Sequence, residues 1–140
     1  MSATVIVAEN GLGRYQQAVT LGVHQLIADE PASVGGDDAG PAPFDFLMAG
    51  LGACTSMTIR MYAERKAMPL TGVRVELRHN KTEVDGKLLD RIERCITLEG
   101  DLNQEQRERL LEIANRCPVH RALAQPLVVE THLLETTAST

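Results

Sequence analysis

Along this chain the hydrophobic and polar positions change period several times, and each change marks an element. Residues 4–9 are β-branched and apolar, Gly11-Leu12-Gly13 turns the chain, and residues 15–20 and 24–28 flank Leu21-Gly22 as a hairpin. The loop that follows, 29–42, carries Gly35-Gly36-Asp37-Asp38 and Gly40-Pro41, a composition that suits either a lid or a rigid crossing segment. Pro43 then opens a long helix that is expected to close near Pro69. Proline fits the first helical turn, Asp45 fits its positive end, and Arg65 and Lys66 fit its negative end. From Phe46 to Cys54 this helix carries no charge on any face, a pattern that needs cover all round. Ala49, Gly50, Gly52 and Ala53 would admit another backbone, so a second copy of the same helix is the expected cover.

Val73, Val75 and Leu77 alternate with Arg74, Glu76 and Arg78, the period of a half-buried strand. Asp85-Gly86 reads as a turn, and residues 91–99 as the return strand, with Ile92, Ile96 and Leu98 on one face and Glu93, Cys95, Thr97 and Glu99 on the other. Asn103 and Gln106 have the spacing of a capping box at the start of a second helix. In that helix Leu110, Ile113, Ala114 and Cys117 recur at i, i+3, i+4, i+7, which points Cys117 toward the core. Pro118 cannot continue the hydrogen-bond ladder, so a break is expected at Cys117. Residues 127–135 complete the pattern as a last strand. The order βββ-α-ββ-α-β indicates an α+β fold with antiparallel sheets and two main helices, a single domain over residues 1–140.

Composition narrows the function classes. The net charge is −5 and aromatics are limited to Tyr15, Phe44, Phe46 and Tyr62, so the basic, aromatic-lined surface of a nucleic-acid binder is absent. No stretch reaches the roughly 20 apolar residues of a membrane span. The start of the chain has no charged leader pattern, and a cytoplasmic protein is expected. Three cysteines, Cys54, Cys95 and Cys117, make an odd set that argues for reactive or inert thiols over a disulfide scaffold.

Cys54 lies mid-helix, where burial disfavours the charged form, and the helix dipole fades beyond the first turn. It is therefore either an inert buried thiol or a nucleophile served by an outside cation, for which arginine is the natural choice. Cys117, with Pro118 starting a new turn, is expected to sit beside fresh backbone N–H groups. Cys117 and His120 also make half of a metal site, but His24, His79 and His132 lie on predicted strands, and no metal or cofactor is expected. Cys95, on a polar strand face, reads as incidental.

Three stretches carry a resemblance. Gly40-Pro41-Ala42-Pro43-Phe44-Asp45-Phe46-Leu47, Gly52-Ala53-Cys54-Thr55-Ser56-Met57-Thr58 and Arg116-Cys117-Pro118-Val119-His120-Arg121 are similar in order and spacing to the osmotically inducible protein C / organic hydroperoxide resistance (OsmC/Ohr) family. The resemblance covers nearly the whole chain. It implies an intertwined homodimer with active sites at the subunit interface, acting as a thiol peroxidase on hydroperoxides and recharged by an external dithiol. It makes Cys54 the peroxidatic thiol, Cys117 the resolving thiol and Arg14 the arginine that activates the peroxidatic sulfur. The hydroperoxide-resistance branch carries a glutamate that orients this arginine. Here the nearest acid is Asp45, shorter and displaced by one position, and on a straight helix it faces away from Cys54. His120 and Arg121 after Cys117 are closer to the broader OsmC-like branch. The alternative is a non-enzymatic dimer that binds a small apolar ligand, with both cysteines structural.

Overall fold

The β-branched start of the chain pairs as its alternation predicts. In a computed structural model that describes residues 4–134, β1 (Val5–Glu9), β2 (Gln17–Leu21) and β3 (His24–Ala28) form an antiparallel sheet in the order β1-β2-β3. Val5 is opposite Leu21, and Leu21 is opposite His24. The following loop crosses to the first helix, and one carboxylate organises it. Asp29 is buried and accepts the backbone N–H groups of Glu30 at 2.8 Å, Asp37 at 3.1 Å and Ala39 at 3.0 Å. Its own N–H donates to the Pro41 carbonyl at 3.1 Å, which delivers the chain to the first helix.

That helix, α1 (Pro43–Arg65), begins where Pro43 supplies a helical φ and Asp45 Oδ2 accepts the Ala42 N–H at 3.0 Å. After it, β4 (Leu70–Val84) and β5 (Lys87–Gly100) form a long antiparallel ribbon. The ribbon turns at Asp85 (φ 51°) and Gly86 (φ 79°), two left-handed residues that match the right-handed twist of the strands. The capping box then opens α2 (Gln104–Ala114): Asn103 Oδ1 accepts the Gln106 N–H at 2.8 Å, and Gln106 Oε1 accepts the Asn103 N–H at 3.0 Å. A short α3 (Pro118–Leu123) follows the predicted break.

The core lies at the C-terminal half of α1. There Ile59, Tyr62 and Ala63 pack against Leu110, Ile113 and Ala114 of α2, with Leu70 and Leu102 closing the ends of the ribbon. Within the single chain the N-terminal half of α1 is covered on part of its surface only. Between Phe46 and Cys54 only Leu51 is buried in the single chain, while Leu47, Ala49, Gly50 and Ala53 are exposed. Within the chain, α1 is contacted by β4, α2 and α3. Gly52 also serves a different neighbour from the expected partner helix. A Cβ there would stand 2.8 Å from Leu77 Cδ1, so Gly52 admits the chain's own β4.

The predicted last strand is the other departure. Residues 127–134 form no strand, and residue 135 lies outside the described residues. Leu127, Val128 and Val129 are exposed at 64%, 84% and 77%. Apolar β-branched residues favour a strand, but a strand exists only through a partner edge, and this segment pairs with none among the described residues. The α+β class with antiparallel sheets and few helices stands as read.

Asp29 gives this fold a pH dependence. The Ala39 N–H, opposed by burial and helped by the N–H groups of Glu30 and Asp37, holds its carboxyl below the ordinary carboxylate range. A depressed folded-state pKa means that its stabilisation is complete above the unfolded pKa and is lost as pH falls through the folded one. Limited proteolysis of residues 29–42 is therefore expected to accelerate only in acid. Asp29→Asn should be cleaved rapidly at neutral pH, and unchanged cleavage in that variant would remove the carboxylate as the organiser.

Candidate active site

The register of α2 decides where the second sulfur goes. With Asn103 fixed as the cap, Leu110, Ile113 and Ala114 face inward and are buried, and Cys117 follows them to complete burial at 0% exposure. Pro118 has no N–H to donate, so the chain leaves the helix and Cys117 takes an extended conformation (φ −64°, ψ 139°) as the cap of α3. Its Sγ accepts the His120 N–H at 3.3 Å, and Thr55 Oγ1 of α1 lies 3.8 Å away. Cys54, the neighbour of Thr55 on α1, is half-buried, and its thiol is among the groups that lower the Cys117 pKa. The structure thus brings Cys54 and Cys117 together from distant parts of the chain, both as free thiols.

A third element reaches this point. On β5 the residues Ile92, Arg94, Ile96 and Leu98 share one face, and Arg94 is opposite Leu77, the residue that packs into the gap at Gly52. Arg94 Nη1 donates to Thr55 Oγ1 at 2.8 Å and to the Ala114 carbonyl at 3.2 Å, while Nη2 donates to Asn115 Oδ1 at 2.6 Å. Burial pushes the Cys117 thiol up, but the His120 N–H, Cys54, Thr55 and the Arg94 charge together outweigh it, and the pKa lies below the ordinary thiol value. Burial, reinforced by Arg94, also lowers the pKa of His120, so its imidazole is neutral at pH 7. Neither Arg94 nor Thr55 is assigned a role by the residue pattern alone. The available signal was a cation set among Ile92, Ile96 and Leu98 on the apolar face of the strand.

Between α1, β5 and α3 opens a cleft of about 420 Å³, lined by Phe44, Leu47, Leu51, Ile92 and Leu123, with His120 and Asp90 as its polar members; neither cysteine is among its lining residues. Leu47, Leu51 and Cys54 recur at i, i+4, i+7 along α1, so the apolar wall of the cleft runs on toward the Cys54 thiol. Phe44 stacks on His79 with ring centroids 4.0 Å apart, and His79 Nε2 is bonded to Asp90 at 2.8 Å, which braces the outer rim.

Arg14 and Asp45 are elsewhere in the single chain. The Arg14 guanidinium lies 5.0 Å from the centre of the Tyr15 ring, and Asp45 caps α1; among the described residues no ion pair joins either to the thiols or to the other. Cys95 is exposed on the far face of β5. Among the described residues no three His, Cys, Asp or Glu side chains gather as metal ligands, and no helix is long and apolar enough to cross a membrane.

A family model described as OsmC-like protein matches residues 35–132. In fold the chain is similar to an organic hydroperoxide resistance protein OsmC from Legionella pneumophila, with TM-score 0.68 and 21% identity, covering 88% of this chain and 89% of that one. It is also similar to an OsmC-like protein from Mycoplasma pneumoniae (0.69, 19%, covering 88% and 86%) and to the organic hydroperoxide resistance protein OhrB of Bacillus subtilis (0.64, 20%, covering 91% and 93%). No curated protein matches the chain in sequence.

The lowered Cys117 pKa is directly measurable in a Cys54→Ser, Cys95→Ser protein, where it is the sole thiol and serine keeps a donor beside it. Thiolate absorbance should persist to lower pH in the folded protein than in denaturant, because a depressed pKa keeps the thiolate until pH falls through it. A folded midpoint at or above the denatured one would contradict this electrostatic account of the site.

Proposed function

The chain belongs to the OsmC-like protein family, and from that premise we propose that it is a two-cysteine thiol peroxidase that reduces organic hydroperoxides. The observation that carries this reading is the pairing of two free thiols from α1 and the α2–α3 break, with an apolar cleft lined by the same α1 and α3. Access supports the division of labour. Cys54 is half-buried and follows Leu47 and Leu51 along α1, whereas Cys117 is fully buried. A peroxide entering along Leu47 and Leu51 meets Cys54 first.

In the proposed cycle the Cys54 thiolate attacks the terminal oxygen of R–O–OH. The O–O bond breaks, the alkoxide takes a proton and leaves as alcohol, and Cys54 becomes a sulfenic acid. Cys117 displaces water from that sulfenic acid to form a Cys54–Cys117 disulfide, and an external dithiol returns both thiols. The apolar cleft favours an organic group on the peroxide. Binding of an inert apolar ligand, the competing reading, has no use for a second thiol beside the first.

Arg14 enters this reading across a dimer. Two features support assembly: the exposed apolar surface of α1, and a three-stranded sheet whose β1 residues Val5, Ile6 and Val7 are 53%, 57% and 57% exposed. An exposed apolar edge of this kind calls for a partner. In the proposed dimer Arg14 of one protomer stabilises the Cys54 thiolate of the other, and Asp45 near the start of α1 orients it.

One equivalent of cumene hydroperoxide should consume two thiols per chain and leave a Cys54–Cys117 bridge on peptide mapping. Cys95→Ser should match the wild type, Cys54→Ser should be inactive, and Cys117→Ser should stall after one turnover. Three free thiols after peroxide treatment, or a bridge that includes Cys95, would overturn the mechanism.

Subunit mixing tests the arginine. Arg14→Ala and Cys54→Ser dimers should each be inactive, and after dissociation and remixing one intact site per mixed dimer should restore about a quarter of wild-type activity, since half the dimers are mixed and each carries one of two sites. A protein that is monomeric at micromolar concentration, or a remix with no recovery, would exclude Arg14 acting across the interface.

A further inference from the structure

Neither Arg94 nor Thr55 belongs to the cysteine and arginine set above, yet Thr55 faces the Cys117 sulfur and Arg94 donates to Thr55. A half-buried guanidinium on the apolar face of a strand is tolerated only if its donors are satisfied. Those of Arg94 are spent on Thr55 Oγ1 and on the Ala114 carbonyl and Asn115 Oδ1 at the end of α2. One side chain thus ties the residue after Cys54 to the segment that carries Cys117.

The Thr55 hydroxyl has one proton and two lone pairs. It donates to the Leu51 carbonyl at 2.7 Å, accepts from Arg94 at 2.8 Å and faces Cys117 Sγ at 3.8 Å, where either atom can be the donor. With Cys117 protonated, the S–H points to the free lone pair of Thr55. With Cys117 ionised, rotation about Cβ–Oγ turns the hydroxyl proton to the sulfur, and the Leu51 carbonyl keeps its helical N–H partner. Arg94 favours the second arrangement, because a cation donating into the hydroxyl oxygen makes the O–H a stronger donor.

We propose that Arg94 is a positioning residue for the resolving step and acts through the Thr55 hydroxyl to hold the Cys117 sulfur against Cys54 as the attacking thiolate. The proposal rests on the two-cysteine reading. In the step the Cys117 thiolate attacks the sulfur of Cys54–SOH; the S–S bond forms, the S–O bond breaks, and the departing hydroxide takes a proton and leaves as water. The hydroperoxide already reduced is the only oxidant required. The groups that act on the Cys117 sulfur are Cys54 and Thr55 from α1, Arg94 from β5 and the His120 N–H from α3. Arg94 is the charged one, since the His120 imidazole is neutral at pH 7.

Rapid quench after one equivalent of cumene hydroperoxide, with a sulfenic-acid trap and mass spectrometry, separates sulfenic acid formation from disulfide closure. In Arg94→Gln and Thr55→Val closure should slow more than sulfenic acid formation does. Each unit of rise in the Cys117 pKa lowers the thiolate fraction tenfold and returns about threefold in nucleophilicity, so a slowing of about three- to tenfold is expected. The rising limb of the closure rate should move to higher pH, and sulfinic Cys54 should accumulate. Arg94→Lys should recover part of the rate, and Thr55→Ser, which keeps the hydroxyl, should stay near wild type. Closure at the wild-type rate in Arg94→Gln and Thr55→Val, or Thr55→Ser as slow as Thr55→Val, would overturn the proposal. Thiolate titration of Cys117 in the Cys54→Ser, Cys95→Ser protein decides the matter without peroxide. If Arg94→Gln leaves that midpoint in place, the proposal fails whatever the kinetics. If wild type forms no sulfenic acid at all, the peroxidase reading fails and takes the resolving role with it, while a shifted midpoint still assigns Arg94 its hold on the sulfur.

Discussion

The missing N–H of Pro118 is the constraint from which the site follows. A residue with a donor at that position would let α2 run on, and the sulfur of Cys117 would spend its surroundings on helix backbone. Because the ladder stops, Cys117 becomes a cap, its side chain turns back onto the new turn, and the His120 N–H binds the sulfur at 3.3 Å. The same interruption leaves the Ala114 carbonyl with only a long backbone bond, from the Cys117 N–H at 3.4 Å, and Arg94 adds a second donor at 3.2 Å. The break therefore creates both the donor that faces the thiol and the acceptor that draws in the cation.

Packing converts that local event into a meeting of three elements. Gly52 lacks the side chain that would hold Leu77 away, so the ribbon approaches α1, and Arg94, directly opposite Leu77, reaches Thr55. The core around Ile59, Leu110 and Ile113 sets the spacing of α1 and α2 one to two turns beyond the sulfurs. A close-packed interior of this kind deforms little, and this holds the 2.8 Å hydrogen bond from the strand to the hydroxyl that faces the sulfur.

The single chain also leaves work undone. The N-terminal half of α1, the apolar strand β1 and the exposed run Leu127, Val128 and Val129 all present surface that a lone protomer does not cover. The electrostatics divide along the same line. Arg94 serves Cys117 from within the chain, whereas Arg14 lies over Tyr15 and has no thiol beside it. On the proposed two-cysteine reading, the chain's own fold would prepare the resolving sulfur and assembly would supply the rest of the site.

Local chemistry made much of this legible from residues alone. Alternation marked the strands, Asp85-Gly86 the ribbon turn, Asn103 with Gln106 the start of α2, and the i, i+3, i+4, i+7 run with Pro118 the inward, capping position of Cys117. These are interactions between residues near one another in the chain, and their geometry is set by backbone periodicity. The neighbour of Gly52, the lack of a strand edge beside residues 127–134 and the reach of Arg94 to Thr55 depend instead on contacts between distant segments. A guanidinium among Ile92, Ile96 and Leu98 signalled that something polar lay beneath the strand. Only the packing of β5 over α1 and the end of α2 decided that it was the hydroxyl beside the Cys117 sulfur, because one-dimensional pattern records which face a residue occupies and not what stands across from it.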